Sequence, residues 1–115
     1  RNIHYWIYPG LSYKIYDANS AMKAVEELFD VKRQEIKSRS RKRYLVEARY
    51  AYCYIVNKKL RYTLDAIGKT IDRDHATVLY GVNMINTLMP QDPVLKDRIS
   101  ILASSVAEQK TKKKK

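Results

Sequence analysis

The chain has 115 residues and a formal net charge of +11 at pH 7, with 45% hydrophobic and 30% charged residues. This length suits one globular domain with a hydrophobic core and is too short for two, and no apolar run approaches the ~20 residues of a membrane-spanning helix. The single cysteine, Cys53, excludes an intrachain disulfide framework, and the histidines His4 and His75 lack the spacing of metal ligands. We therefore expect a soluble cytoplasmic protein without a metal site or cofactor, in which Cys53 is a small core residue.

Positive charge is concentrated in two regions of the chain. Five lysines lie at the C-terminal end, at Lys110 and at 112–115, and residues 32–61 hold 11 Lys or Arg against Glu35 and Glu47. A cluster of this kind attracts a polyanion, whose phosphates would release condensed counterions on binding. The alternative interpretation is a solvated basic face without a partner.

The first residues differ in composition from the rest. Aromatic and β-branched residues stand on both sides of Pro9-Gly10, which favours extended structure. We expect residues 1–17 to form an extended arm or a short hairpin on the body of the domain. Packing of its aromatic rings on the domain or on another protein is favoured over stacking on bases.

Apolar spacing predicts an all-α fold, a compact helical bundle over residues 18–108. The five predicted helices cover residues 18–29, 42–60, 64–71, 75–88 and 93–108, and residues 31–37 form a short segment with Val31 and Ile36 as inward anchors. Residues 109–115 are predicted to be a disordered basic tail.

Polar residues with N-cap chemistry precede four of these helices. The candidates are Asp17, Asn19 and Ser20 for the first helix, then Thr63, Asp74 and Asp92. In the long helix the predicted inward residues are Leu45, Ala48, Tyr52, Ile55 and Val56, and the predicted outward residues are Arg49, Lys58 and Lys59. The residues predicted to be buried by the helix that covers about 75–88 are Val78, Leu79, Val82 and Ile85, together with Met89 just after it.

Helices 64–71 and 75–88, joined at Asp72-Arg73, are predicted to form a helix-turn-helix. Gly68 lies in the middle of the first of them, where glycine is costly, so we expect a close approach of the following helix there. The second helix begins with Asp74, His75, Ala76 and Thr77, small and polar groups suited to base edges in a major groove. The alternative is that Asp74 only caps the helix and His75 is only exposed.

The run Arg73-Asp74-His75-x-Thr77-Val78, with Leu64, Ile67 and Gly68 before it, resembles the C-terminal DNA-binding domain of the bacterial replication initiator DnaA family. The resemblance extends over residues 18–88 and implies that family's helix-turn-helix fold, which is similar to the Trp repressor. It also implies that residues 38–43 form a basic loop and that Arg41 enters the minor groove. The predicted DNA-binding residues are Arg39, Arg41, Lys42, Arg43, Arg49, Thr63, Leu64, Asp65, Arg73, Asp74, His75, Ala76 and Thr77.

Three differences from the family pattern suggest an altered site preference. Ala76 stands where the family has Ser or Thr, Asp72 stands where it has a glycine pair, and Glu47-Ala48 replace an arginine and a proline. The loss of one hydroxyl contact and the repulsion between Glu47 and phosphate are the expected consequences.

The predicted function is sequence-specific binding of double-stranded DNA in replication initiation or its regulation, in a bacterial or phage-infected cell. The chain has only Gly10, Gly68 and Gly81 and no Gly-x-x-x-x-Gly-Lys-[Ser/Thr] run, so we expect no nucleotide site and no enzyme. The alternative is a structural or protein-interaction module, for example phage-encoded, that docks through the N-terminal arm and the last helix and binds DNA weakly and without specificity.

Overall fold

Six α-helices and one 3₁₀ turn make up the part of the chain that the structure, a computed structural model, describes, residues 14–106. The helices are α1 (Ala18–Phe29), α2 (Arg33–Lys37), α3 (Arg43–Lys58), α4 (Leu64–Ile71), α5 (His75–Leu88) and α6 (Pro93–Ser104), and the 3₁₀ turn is Met89–Gln91. The all-α prediction is confirmed. The predicted tail and residues 1–13 of the predicted arm lie outside the described residues.

Side-chain caps set the starts of four helices. The Asp17 carboxylate accepts a hydrogen bond from the Ser20 N–H at 2.8 Å, and the Ser20 hydroxyl oxygen accepts one from the Asp17 N–H at 3.0 Å. Thr63, Asp74 and Asp92 accept bonds of 3.1, 2.9 and 3.1 Å from the third residue of their helices. These bonds satisfy amides that the helix itself leaves without a partner, so the predicted caps are confirmed, with Asp17 as the one for α1.

The core is built around α3, and every other helix packs against it. The inward residues predicted for this helix are buried, as are Val31 and Ile36 around α2. Cys53 is also buried, and burial raises the pKa of its thiol to about 12. The thiol is therefore protonated at neutral pH, as expected of a small core residue.

The last helix is shorter than predicted. It ends at Ser104, where the Ser105 N–H bonds back to the carbonyls of Ile101 and Leu102. The chain then turns, and Val106 forms an isolated parallel bridge with the buried Ile15, whose N–H donates to the Ser105 carbonyl at 2.9 Å. This pairing takes Val106 out of the helical register, so the prediction of a helix over 93–108 is wrong at its end.

Gly68 lies in the middle of α4, on the side that faces the turn between α4 and α5. A Cβ atom there would overlap the carbonyl oxygen of Arg73, and the Arg73 N–H donates to the Gly68 carbonyl at 2.9 Å. Asp72 closes α4 in the left-handed conformation, with φ 59°, which aspartate tolerates better than most residues. The close approach predicted at Gly68 is thus made by the backbone of the turn.

Candidate nucleic-acid interface

The first turn of α5 presents a group of exposed polar side chains. Asp74, His75 and Ala76 are exposed, and Thr77 is half-buried. Hydrogen bonds from the side chain and backbone of Thr77 hold the pKa of Asp74 below its ordinary value of 3.8, so the carboxylate is charged at neutral pH. Asp74 therefore caps the helix while its side chain remains exposed to solvent.

The start of α4 lies beside this turn. His75 Nδ1 is 3.7 Å from Asp65 Oδ1, and both side chains are exposed. Thr63, which caps α4, is exposed as well, whereas Leu64 is half-buried. The structure thus brings residues Thr63 to Asp65 and the first residues of α5 onto one surface, as the sequence predicts.

The faces of α5 are mostly as predicted. Val78, Val82 and Ile85 are buried. Leu79, however, is 44% exposed, and the prediction that it is buried is wrong. At 100° per residue Leu79 lies at the edge of the buried face, about 100° around the helix from Val78 and about 120° from Ile85.

A basic loop, defined as residues 38–42, joins α2 to α3. The side chains of Arg39, Arg41 and Lys42 are exposed, as is Arg43 at the start of α3. Serine hydroxyls stabilise the bend: Ser38 Oγ accepts from the Ser40 N–H, and Ser40 Oγ accepts from the Lys42 N–H, each at 3.2 Å. Such short local bonds are typical of serine turns, and they leave the cationic side chains outside.

Arg49 does not face outward, which corrects the prediction from the sequence. It is only 5% exposed, and its guanidinium donates to the carbonyls of Ile36 at 2.7 Å, Ser38 at 3.1 Å and Ser40 at 3.2 Å. Burial, followed by the nearby charge of Arg73, lowers the pKa of Arg49. A buried cation is tolerated only when its donors are satisfied, and here backbone carbonyls satisfy them. These bonds hold the backbone of the basic loop in place.

Arg73 holds the same loop from the opposite side. Its guanidinium donates to the Ser38 carbonyl and, at 3.3 Å, to that of Lys37, and it also bonds to the carbonyls of Ile71 and Asp72. Arg39 reaches back to Asp72 in an exposed ion pair of 3.4 Å. The loop and the turn of the helix-turn-helix are therefore one connected unit.

Glu47, expected to repel phosphate, has a cationic partner. Arg43 Nε lies 3.2 Å from Glu47 Oε2, one helical turn away on α3. This pair reduces the negative charge that Glu47 presents to the surface, although an exposed pair of this kind is weak.

One groove connects the basic loop with the start of α5. Its lining residues are Arg39, Gly68, Lys69, Asp72, Arg73, Asp74 and Thr77. Lys69 is not among the predicted DNA-binding residues, although an exposed lysine in the last turn of α4, just ahead of the turn to α5, is a signal that the sequence contains. The lining carries three cationic side chains and the carboxylates of Asp72 and Asp74.

Residues 14–106 contain no group of three or more His, Cys, Asp or Glu residues placed to hold a metal ion. None of the helices within residues 14–106 has the length and apolar character needed to cross a membrane.

Comparison with known proteins identifies the family. Residues 19–85 match the family model described as the bacterial dnaA protein helix-turn-helix. The chain is 33% identical over 88 residues to "Chromosomal replication initiator protein DnaA 2" of Chlamydia trachomatis serovar D, covering 76% of this chain and 19% of that protein. It is 38% identical over 81 residues to "Chromosomal replication initiator protein DnaA" of Ehrlichia ruminantium strain Gardel, covering 70% and 18%.

The chain thus spans about a fifth of the length of these relatives. The matched region contains the helix-turn-helix, the basic loop and the long helix α3 between them. On the strength of this match, the chain belongs to the bacterial DnaA helix-turn-helix family.

Proposed function

We propose that this chain binds a short sequence of double-stranded DNA, with the start of α5 in the major groove and the basic loop in the adjacent minor groove. The observation that carries the proposal is the groove between them, which is lined by Arg39 of the loop and by Asp74 and Thr77 at the start of α5. Arg41 and Lys42 of the loop and His75 of α5 are exposed as well. Membership in the DnaA helix-turn-helix family supports it.

Sequence preference is proposed to come from the first turn of α5. The imidazole of His75 can donate or accept at a base edge, and the methyl group of Ala76 suits contact with a thymine methyl. Because both side chains are exposed and neither belongs to the core, they are free to serve recognition. The Thr77 N–H already donates to Asp74, so the amides proposed for a phosphate oxygen are those of His75 and Ala76.

The basic loop is proposed to supply the minor-groove contact through Arg41. An arginine gains most where the minor groove is narrow, as in A·T-rich sequence, because the negative potential is strongest there. Lys42 and Arg43 are proposed to contact phosphates, which would add affinity without sequence preference.

The proposed cellular role is in replication initiation or its regulation, through DNA binding and not through catalysis or nucleotide binding. The support is that the relatives carry the name of chromosomal replication initiator proteins. The described residues contribute a surface for DNA, and the proposed place of action is the bacterial DNA in the cytoplasm.

Selection of bound duplexes from a random library tests the proposal. We expect the unmodified chain to enrich one short motif, and His75→Ala to lose about 1–3 kcal/mol of affinity for that motif while sequence preference relaxes. Lys58→Ala, which removes an exposed charge from the far end of α3, is the control. Enrichment of no motif by the unmodified chain would contradict the proposal and favour a protein-interaction module that binds DNA without specificity.

A further inference from the structure

Large apolar side chains are exposed at few places in residues 14–106. They belong to Tyr16, Tyr44, Leu79, Tyr80 and Val94, and Tyr80 is 56% exposed. Only Leu79 and Tyr80 of these lie on α5. An exposed aromatic ring on the helix that carries His75 is a feature that neither the core nor the capping of α5 accounts for.

Tyr80 lies one turn beyond Ala76 on the outer face of α5. With 3.6 residues per turn, Ala76, Tyr80 and Asn83 share the face opposite the buried Val78 and Val82, and all three are exposed. Ala76, one turn before Tyr80, contributes only a methyl group, and Tyr80 is 56% exposed. The phenol hydroxyl can both donate and accept a hydrogen bond.

The ring of Tyr80 is held on the side that faces α3. Its centroid is 5.9 Å from that of Tyr50 at an interplanar angle of 80°, an edge-to-face contact. Tyr50 is in turn half-buried against the backbone of Gly81, where a Cβ atom would lie 2.6 Å from its Cδ1. The pair limits the positions open to Tyr80 and leaves its outer edge exposed.

We propose that Tyr80 is a specificity-determining residue, whose ring edge contacts a thymine methyl and whose hydroxyl hydrogen-bonds to a base edge in the major groove. The contact extends recognition by one helical turn beyond His75 and Ala76, to base pairs that the first turn of α5 does not reach. This inference rests on the proposed function, since it requires α5 to lie in the major groove.

The test compares the unmodified chain with Tyr80→Ala and Tyr80→Phe. Each protein is titrated against the selected duplex and against every single-base-pair variant of it at one salt concentration. We expect Tyr80→Ala to lose roughly tenfold discrimination at one or two adjacent base pairs and to keep its discrimination elsewhere. Tyr80→Phe keeps the apolar contact, so we expect it to lose only part of that preference.

Tyr16→Ala is the matched control, because it removes an exposed tyrosine that lies ahead of α1. Thermal unfolding of each variant establishes that the fold is retained. If Tyr80→Ala discriminates between base pairs as well as the unmodified chain at every position, this inference is overturned and the proposed function still stands. An equal loss of affinity for all duplexes by Tyr80→Ala also overturns this inference, since that result marks a phosphate contact. An unmodified chain without any sequence preference overturns both this inference and the proposed function.

Discussion

At the scale of single residues, the guanidinium of Arg49 explains how a cationic loop can have a defined shape. It joins three carbonyl oxygens, of Ile36, Ser38 and Ser40, which come from both sides of the bend. Exposed arginines in a flexible loop would lose conformational freedom on binding, and a loop already held by its backbone loses less. We therefore propose that Arg49 contributes to DNA binding through the residues that it positions.

We expect Arg49→Lys to reduce discrimination between A·T-rich and G·C-rich flanks, because a lysine ammonium keeps the charge but not the planar fork that joins three carbonyls. Affinities for duplexes that differ only in their flanks measure the effect. Arg43→Lys, an exposed change on the same helix, is the control. A folded Arg49→Lys protein that discriminates flanks as well as the unmodified chain would refute this role.

Arg41 and Lys42 of the basic loop are predicted to contribute to DNA affinity in different ways. Arg41→Ala should weaken binding most at sites with A·T-rich flanks, where the minor groove is narrow. Lys42→Ala should weaken binding to all sequences about equally and lower the slope of log affinity against log salt by about one. Titrations at several salt concentrations separate the two effects, and identical behaviour of both variants across flanks would count against the minor-groove assignment.

At the scale of elements, the helix-turn-helix depends on the space at Gly68. Most substitutions of glycine by alanine inside a helix are stabilising, but here the new methyl group would overlap the Arg73 carbonyl. We expect Gly68→Ala to lower the free energy of unfolding by about 1–3 kcal/mol, the usual cost of overpacking. Chemical denaturation measures it, with the exposed Lys69→Ala as control. A stabilised Gly68→Ala protein would show that the turn moves away at little cost.

Much of this architecture could be predicted because local chemistry decides it. Thr63, Asp74 and Asp92 cap their helices as their side chains suggest, and α4 and α5 have the predicted bounds. The end of α6 could not be predicted from local chemistry, because the pairing of Val106 with Ile15 joins residues far apart in sequence.

The candidate site was predicted less completely than the helices. The exposed start of α5 and the exposed cations of the loop followed from sequence, whereas the burial of Arg49 did not, because a charged side chain is normally assigned to solvent. Yet Leu45, Arg49, Tyr52 and Val56 follow the spacing of one buried stripe along α3, a signal that the side chain's charge concealed. That the exposed residues of the basic loop and of α5 contact DNA stays a prediction.

At the scale of the whole molecule, residues 14–106 place one helix-turn-helix and one basic loop on the same side of a fold with principal extents of 42 × 32 × 26 Å. A surface of this kind suits a single short site, and no heptad pattern suggests a dimer seam. We therefore expect one chain per site, without the two-fold symmetry of a palindromic operator.

Footprinting and light scattering of the complex test this expectation. One chain should protect about one helical turn of duplex, whereas a symmetric dimer would protect two half-sites about 10 base pairs, or a multiple of that, apart. Because no nucleotide site is proposed, the affinity should be the same with and without ATP. A symmetric footprint with two chains per duplex would exclude the single-site arrangement.

The bridge between Ile15 and Val106 also determines how the molecule opens. The bridge closes a loop of some ninety residues, so we expect this contact to form once α1 and α6 have docked on α3 and to break when they separate. Ile15 is buried and its N–H is bonded to the Ser105 carbonyl, so this amide can exchange with deuterium only when the side chain leaves the core. Ile15 should therefore exchange through the same cooperative opening as the helices, and not by the local fraying usual in a segment ahead of the first helix.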